Sequence, residues 1–223
     1  HFILMAKNKT GHRALKELSS MAWMNSYWDR GLERVATTYD DLARVVKKYP
    51  NSLVATTACL GGELSVNTMN LIGAEKTGDK KGAEIAHNNI VNFMLWCKEL
   101  FGEDFYIECA PASSRDQVMV NERLVPISQA FGVKMVKKED RYVHKAYLNS
   151  KGGEREVDDF YEFAYLQDNE EIIENLKASS FTQEFVEQMF DNSIEIFNKI
   201  ENYSLEHKQV IPKVEVEKYE KKE

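Results

Sequence analysis

The run Leu53-Val-Ala-Thr-Thr-Ala-Cys-Leu-Gly-Gly-Glu-Leu64 places a thiol, Cys59, where an apolar, β-rich stretch gives way to two glycines. A cysteine at the C-terminal end of a strand, beside a glycine turn, sits where α/β barrels place chemistry. As a thiolate it is a nucleophile or a soft metal ligand. A buried structural cysteine is the competing reading. Glu63 follows four residues later. It either faces the same pocket or caps the start of a helix, and capping is the preferred reading. Glu108 ends the apolar run 105–109, where it either supports a site or serves a structural hydrogen bond. No Ser-His-Asp set can be placed, and no Walker-type or GxGxxG phrase occurs. The catalytic residues therefore remain unassigned.

These residues need strands and helices to hold them. Apolar runs at 2–6, 53–57, 105–109 and 133–136 read as buried strands. Between the first two, 11–24 and 39–48 have helical patterns, stopped by Pro50-Asn51. A long helix is expected over 80–101. Its Ala86, Ile90, Phe93 and Cys97 recur at helical spacing, which makes Cys97 core, and Gly102 ends it. A further helix over 117–130 contains Pro126, which predicts a kink or break. Strand and helix in alternation imply crossovers and a parallel sheet. Beyond 136 the chain turns charged. Residues 160–166 read as a strand or extended edge, 181–200 as an amphipathic helix, and 215–223 as a solvated linker. Trp23, Tyr27 and Trp28, with Arg30 and Arg34, form an aromatic-basic cluster. It suits nucleic acid or a domain interface, and the interface is preferred.

The 223 residues are 43% hydrophobic and 29% charged, enough for one α/β domain or slightly more. No stretch has the roughly 18 apolar residues of a membrane span, and no signal peptide is read. Three cysteines without CxxC spacing point to a reducing, cytoplasmic setting. The net charge of −7 argues against this stretch alone gripping a long duplex. An opening on His1-Phe-Ile-Leu-Met-Ala reads as the middle of a longer protein.

A series of phrases then acquires a common meaning: His1-Phe-Ile-Leu-Met-Ala-Lys-Asn8, Gly11…Leu15…Leu18-Ser19, Ala58-Cys-Leu-Gly-Gly-Glu63, Phe105-Tyr-Ile-Glu108, Val120-Asn121 and Glu139-Asp-Arg…His144…Leu148. In order and spacing the series resembles the PHP (polymerase and histidinol phosphatase) domain of bacterial and phage C-family DNA polymerases, the DNA polymerase III alpha subunit. The resemblance implies an α/β fold, a partial, distorted parallel β/α barrel of PHP type over 1–176. A helical segment and linker over 177–223 would lead, through Ile211-Pro212-Lys213, toward a polymerase core. It implies a parent protein that synthesises DNA on a DNA template. It also implies replisome partners such as a sliding clamp and a proofreading subunit, a cytoplasmic location and no membrane. In the family, divalent metals, zinc or manganese, bind at the strand ends and serve phosphoester hydrolysis, including 3′–5′ exonuclease action. His1 and Cys59 match two metal-ligand positions of that family; its other N-terminal ligands would lie before His1.

One phrase is missing. The family carries Asp-x-His directly after the fourth strand, whereas Lys137-Lys-Glu-Asp140 follows Val136 here. Either the motif has been lost or the chain is joined across an omitted loop between Val136 and Lys137; the second is preferred, and it predicts a break in the backbone there. His144 would line the mouth of the site or lie on a helix surface. Two rival functions stand beside the polymerase reading. One is a catalytically inactive PHP scaffold that docks other replisome subunits. The other is a free-standing PHP phosphatase, against which the Ala-Cys-Leu-Gly-Gly phrase counts.

Overall fold

The computed structural model describes residues 1–111, 114–137, 167–206 and 208. Among these, four strands form one sheet in the order β1 (Ile3–Ala6), β4 (Leu53–Thr56), β5 (Phe105–Cys109) and β6 (Lys134–Lys137). A separate two-stranded hairpin joins β2 (Tyr27–Asp29) to β3 (Leu32–Arg34). Helices α1 (Lys9–Met24), α2 (Tyr39–Lys48), α3 (Glu63–Thr77), α4 (Lys80–Phe101), α5 (Arg115–Phe131), α6 (Asn169–Lys177) and α7 (Gln183–Lys199) complete the described architecture.

The expected parallel pairing joins β4 with β5, through α3 and α4, and β5 with β6, through α5. The first connection departs from expectation. β1 runs antiparallel to β4, with Ile3 opposite Thr56 and Ala6 opposite Leu53. Two helices, α1 and α2, lie between these strands, and the second brings the chain back to the end of β1 that the first left. The sheet is therefore mixed rather than all parallel. The consequence for function is direct, because the residue before β1 now lies beside the residues after β4.

Local chemistry explains the helix starts. Asn8, Thr38, Asp79, Asp168 and Thr182 each accept a backbone N–H from the first turn of α1, α2, α4, α6 and α7. In α2, Asp40 and Asp41 open the helix and Lys47 and Lys48 close it, matching the helix dipole at both ends. α5 runs through Pro126 as one helix, so of the expected kink or break the break is not found. α3 was expected only as a helix start at Glu63, without a range. Its inward residues include Ser65, Asn67 and Thr68, which are buried polar groups rather than an apolar stripe. They are satisfied locally: Asn67 donates to Glu63 O at 3.0 Å, Thr68 to Leu64 O at 2.7 Å, and Asn89 donates to Asn67 Oδ1 at 3.0 Å. Gly78, with φ of 73°, supplies the left-handed turn between α3 and α4.

The main core lies on one sheet face. Leu53, Ala55, Phe105, Ile107 and Met135 meet Leu18, Val45, Phe93, Met94 and Cys97 from the helices. The opposite face carries Val54, Tyr106 and Val136 and is covered by Ile196 of α7. α7 also sends Val186 and Met189 into the main core, and Asn192 donates to Met135 O at 2.8 Å. Fully buried Asn121 ties α5 to Ala110 O (2.9 Å) and to Ser179 Oγ (3.0 Å). Cys97 is core as expected, and burial pushes its thiol pKa well above the usual range; Cys109 behaves the same way. β6 runs through Val136 and Lys137, with Lys137 opposite Cys109. The expected strand at 160–166, the linker at 215–223, and Asp140, His144 and Ile211-Pro212-Lys213 lie outside the described residues.

Candidate functional site

Antiparallel pairing of β1 and β4 brings the two residues singled out as metal ligands into contact. His1 precedes β1, Cys59 follows β4, and His1 Nδ1 lies 3.1 Å from Cys59 Sγ. The His1 main-chain nitrogen donates to Gly61 O at 3.1 Å. The turn that presents Cys59 is tight. Ala58 has φ of 62°, a left-handed conformation rare for a residue with a side chain. Gly62 N then donates to Cys59 O at 2.7 Å. The paired glycines fit this geometry. A Cβ on Gly62 would come within 2.3 Å of Thr57 O, and one on Gly61 within 3.0 Å of the His1 imidazole. Cys59 is partly accessible, whereas Cys97 and Cys109 are buried.

Glu63 opens α3 but does not cap it; Gly62 occupies the cap position without a side-chain bond. The expected capping role is corrected. Tyr39 OH instead donates to Glu63 Oε2. Glu63 itself is exposed, yet its carboxyl lines a cavity, and burial there lifts its pKa above the usual carboxylate range. The cavity measures about 550 Å³ and lies against β1, α1, α2 and α4. Its walls include Leu4, Leu15, Leu42 and Phe93, and His1 and Glu63 supply polar groups. Trp96 meets Tyr39 edge-on, with ring centroids 4.7 Å apart.

Glu108 lies on the opposite sheet face, two residues beyond Tyr106, the partner of Thr56 in the register, and the Thr56 hydroxyl donates to Glu108 Oε1. Glu108 N donates in turn to Thr57 Oγ1 at 3.0 Å. These bonds join the ends of β4 and β5 just before the Cys59 turn. They act on the backbone that carries Cys59. The Thr56–Glu108 and Tyr39–Glu63 pairs were not legible beforehand, since 52 and 24 residues separate the partners.

The donor set decides what the junction can hold. One imidazole nitrogen and one thiolate are donors that zinc accepts. Bond lengths of roughly 2.0 and 2.3 Å would set two such donors roughly 3.5 Å apart around a tetrahedral ion, close to the separation found. A structural zinc needs four ligands, however, and among the described residues no group of three or more His, Cys, Asp or Glu side chains is arranged to hold a metal. The described donors thus fit a metal in kind but not in number.

The fold and this junction define an α/β domain with a mixed sheet and a His–Cys contact just beyond β4. No family model matches the chain. Over 225 residues, covering 97% of this chain, it is 38% identical to the "Probable DNA polymerase YorL" of Bacillus subtilis (strain 168) and to the "DNA-directed DNA polymerase" of Bacillus phage SPbeta. Over 146 residues, 65% of the chain, it is 35% identical to the DNA polymerase III subunit alpha of Borreliella burgdorferi. The chain spans 17% of the length of the first two relatives and 11% of the third. It is thus similar to one stretch of DNA polymerases. Among the described residues, no helix is long and apolar enough to cross a membrane.

Proposed function

We propose that this chain is a PHP-type domain of a C-family replicative DNA polymerase, and that the parent protein extends DNA on a DNA template. The observation that carries the reading is the 38% identity to two DNA polymerases across 97% of the chain. The fold supports it, with two parallel crossovers and a site at strand ends. In this reading residues 1–176 are the PHP-like portion, and 177–223 lead toward the polymerase core. The parent protein acts on DNA in the cytoplasm, with a sliding clamp and a proofreading subunit as further partners. His1 and Cys59 are two ligands of a divalent metal, zinc being favoured by their nitrogen and sulfur donors. Primer extension by the purified full-length protein tests the reading. Template-dependent incorporation of deoxynucleotides is expected, and none under conditions that support a control polymerase would overturn it.

A second reading is favoured by the two-donor set among the described residues: the domain is a non-catalytic scaffold. A 3′–5′ exonuclease assay on the same protein with zinc or manganese separates the two. Digestion that is lost in Cys59→Ser supports a catalytic domain, and its absence supports the scaffold.

A further inference from the structure

The aromatic residues of hairpin β2–β3, among them Trp28, are exposed to solvent, whereas those around the cavity of about 550 Å³ converge on it. Phe2, Tyr39, Phe93 and Trp96 all line that cavity. They come from the approach to β1, the start of α2 and the middle of α4. The rings meet in two crossed pairs. Phe2 and Phe93 have centroids 6.1 Å apart and planes at 86°, and Tyr39 and Trp96 have centroids 4.7 Å apart and planes at 87°. The face of an aromatic ring is electron-rich and attracts a cation. Glu63 is the one acidic residue of the wall, and no lysine or arginine lines the cavity. The Tyr39 hydroxyl donates to Glu63 Oε2 and holds the carboxylate at the rim, while among the described residues Oε1 accepts no hydrogen bond. The His1 main-chain nitrogen is already bound to Gly61 O at 3.1 Å.

We propose that this cavity binds a small organic cation, an alkylated ammonium whose methyl groups pack against the four rings and whose charge faces Glu63. The other ligand classes fit less well. A carboxylate at the wall repels an anion. A neutral apolar molecule would leave that carboxylate desolvated and unpaired. A bare calcium or magnesium ion needs several oxygen ligands, and the wall is mostly apolar. A quaternary ammonium needs none, because it carries no N–H donor, and aromatic cages are built for such ions. The volume lies within the roughly 300–1,000 Å³ of small-ligand sites. The net charge of −7 favours the approach of cations. The inference does not rest on the polymerase reading, and either can fail without the other.

The test is isothermal titration calorimetry of the full-length protein with choline and with the neutral alcohol in which carbon replaces the choline nitrogen. The two probes have the same shape and differ in charge. Saturable binding of one choline per chain is expected, with the neutral probe at least about tenfold weaker. This comparison needs no substitution, so it stands even where a variant fails to fold. Trp96→Leu, which removes a ring, and Glu63→Gln, which removes the charge, should each weaken choline binding at least about tenfold. Trp28→Ser, on the hairpin outside the cavity, should leave it unchanged. No choline binding, equal affinity for the two probes, or unchanged affinity in Trp96→Leu or Glu63→Gln overturns the proposal.

Discussion

Where β5 begins, the sheet is bound to α7 by a closed set of polar contacts; where β4 ends, the Cys59 turn is held by few. At the β5 end Tyr106, fully buried, donates to Glu195 at 2.7 Å and accepts from Lys199 at 2.7 Å. Lys199 also meets Asp104 (3.2 Å), which pairs with Lys7 (2.6 Å), and Lys134 meets Glu195 (2.5 Å). Glu201 N donates to Lys7 O at 2.7 Å, closing the set onto the end of β1. At the β4 end the groups with chemical potential are a partly accessible thiol, an exposed histidine, and a carboxyl bonded to a tyrosine at the mouth of a cavity. Networks whose members are all satisfied rigidify a fold, while strained and accessible groups cluster where chemistry occurs. One end therefore fastens the helix that follows the sheet, and the other leaves its reactive groups accessible.

The largest expected effect breaks the fastened end. Tyr106→Ala removes a buried ring and the shared hydroxyl, and should cost about 3–5 kcal/mol in urea unfolding of the chain. Lys199→Met keeps the aliphatic stem and removes the cation. Because Lys7 and Lys134 remain beside Asp104 and Glu195, a loss of about 1–2 kcal/mol is expected. Acid sharpens the same point. The Lys134 ammonium, followed by Tyr106 and Lys199, holds the Glu195 carboxyl down at about 2, against 4.5 ordinarily. A depressed carboxyl contributes stability that is complete above the unfolded value and lost as pH falls toward the folded one. The urea midpoint should fall between about pH 4.5 and pH 2, and Glu195→Gln should flatten that part of the curve.

At the open end the expected effects are small or reversed. Trp28→Ser should change the stability of residues 1–223 by less than about 0.5 kcal/mol, the range for exposed positions. A large loss in this chain alone would show that the hairpin is part of the core. Glu63 behaves opposite to Glu195. Burial raises its pKa, so its charged form destabilises the fold and the cost is relieved as pH falls through the raised value. Glu63→Gln should raise the urea midpoint at pH 7 and abolish that relief; a lowered midpoint at pH 7 would show that the carboxylate is stabilised by contacts that an amide cannot replace.

The same contrast governs what could be read in advance. The four sheet strands, α1, α2, α4 and α7 follow apolar runs or helical spacing that sequence exposes, and Cys97 in the core follows from its spacing with Ile90 and Phe93. Only the start of α3 was legible, at Glu63, because its inner side mixes Leu64 and Ile72 with Ser65, Asn67 and Thr68 and shows no apolar stripe. α6 had a legible signal, Asp168 three residues ahead of Glu171, which forms a capping box. The Glu195–Lys199 pair, four residues apart on α7, was equally legible, but its closure through Tyr106 depends on tertiary docking over 89 residues. His1 and Cys59 were singled out by resemblance. Their contact across 58 residues depends on the antiparallel pairing of β1 with β4, which alternation of strands and helices does not reveal.

The most direct test of the open end as the functional end is the metal content of the full-length protein, measured by mass spectrometry of the elements after exhaustive dialysis, for the unaltered protein and for Cys59→Ser. At least one zinc or manganese per chain is expected, with one equivalent lost on replacing Cys59. Equal metal content in both proteins, or none in either, would contradict the assignment of the His1–Cys59 junction.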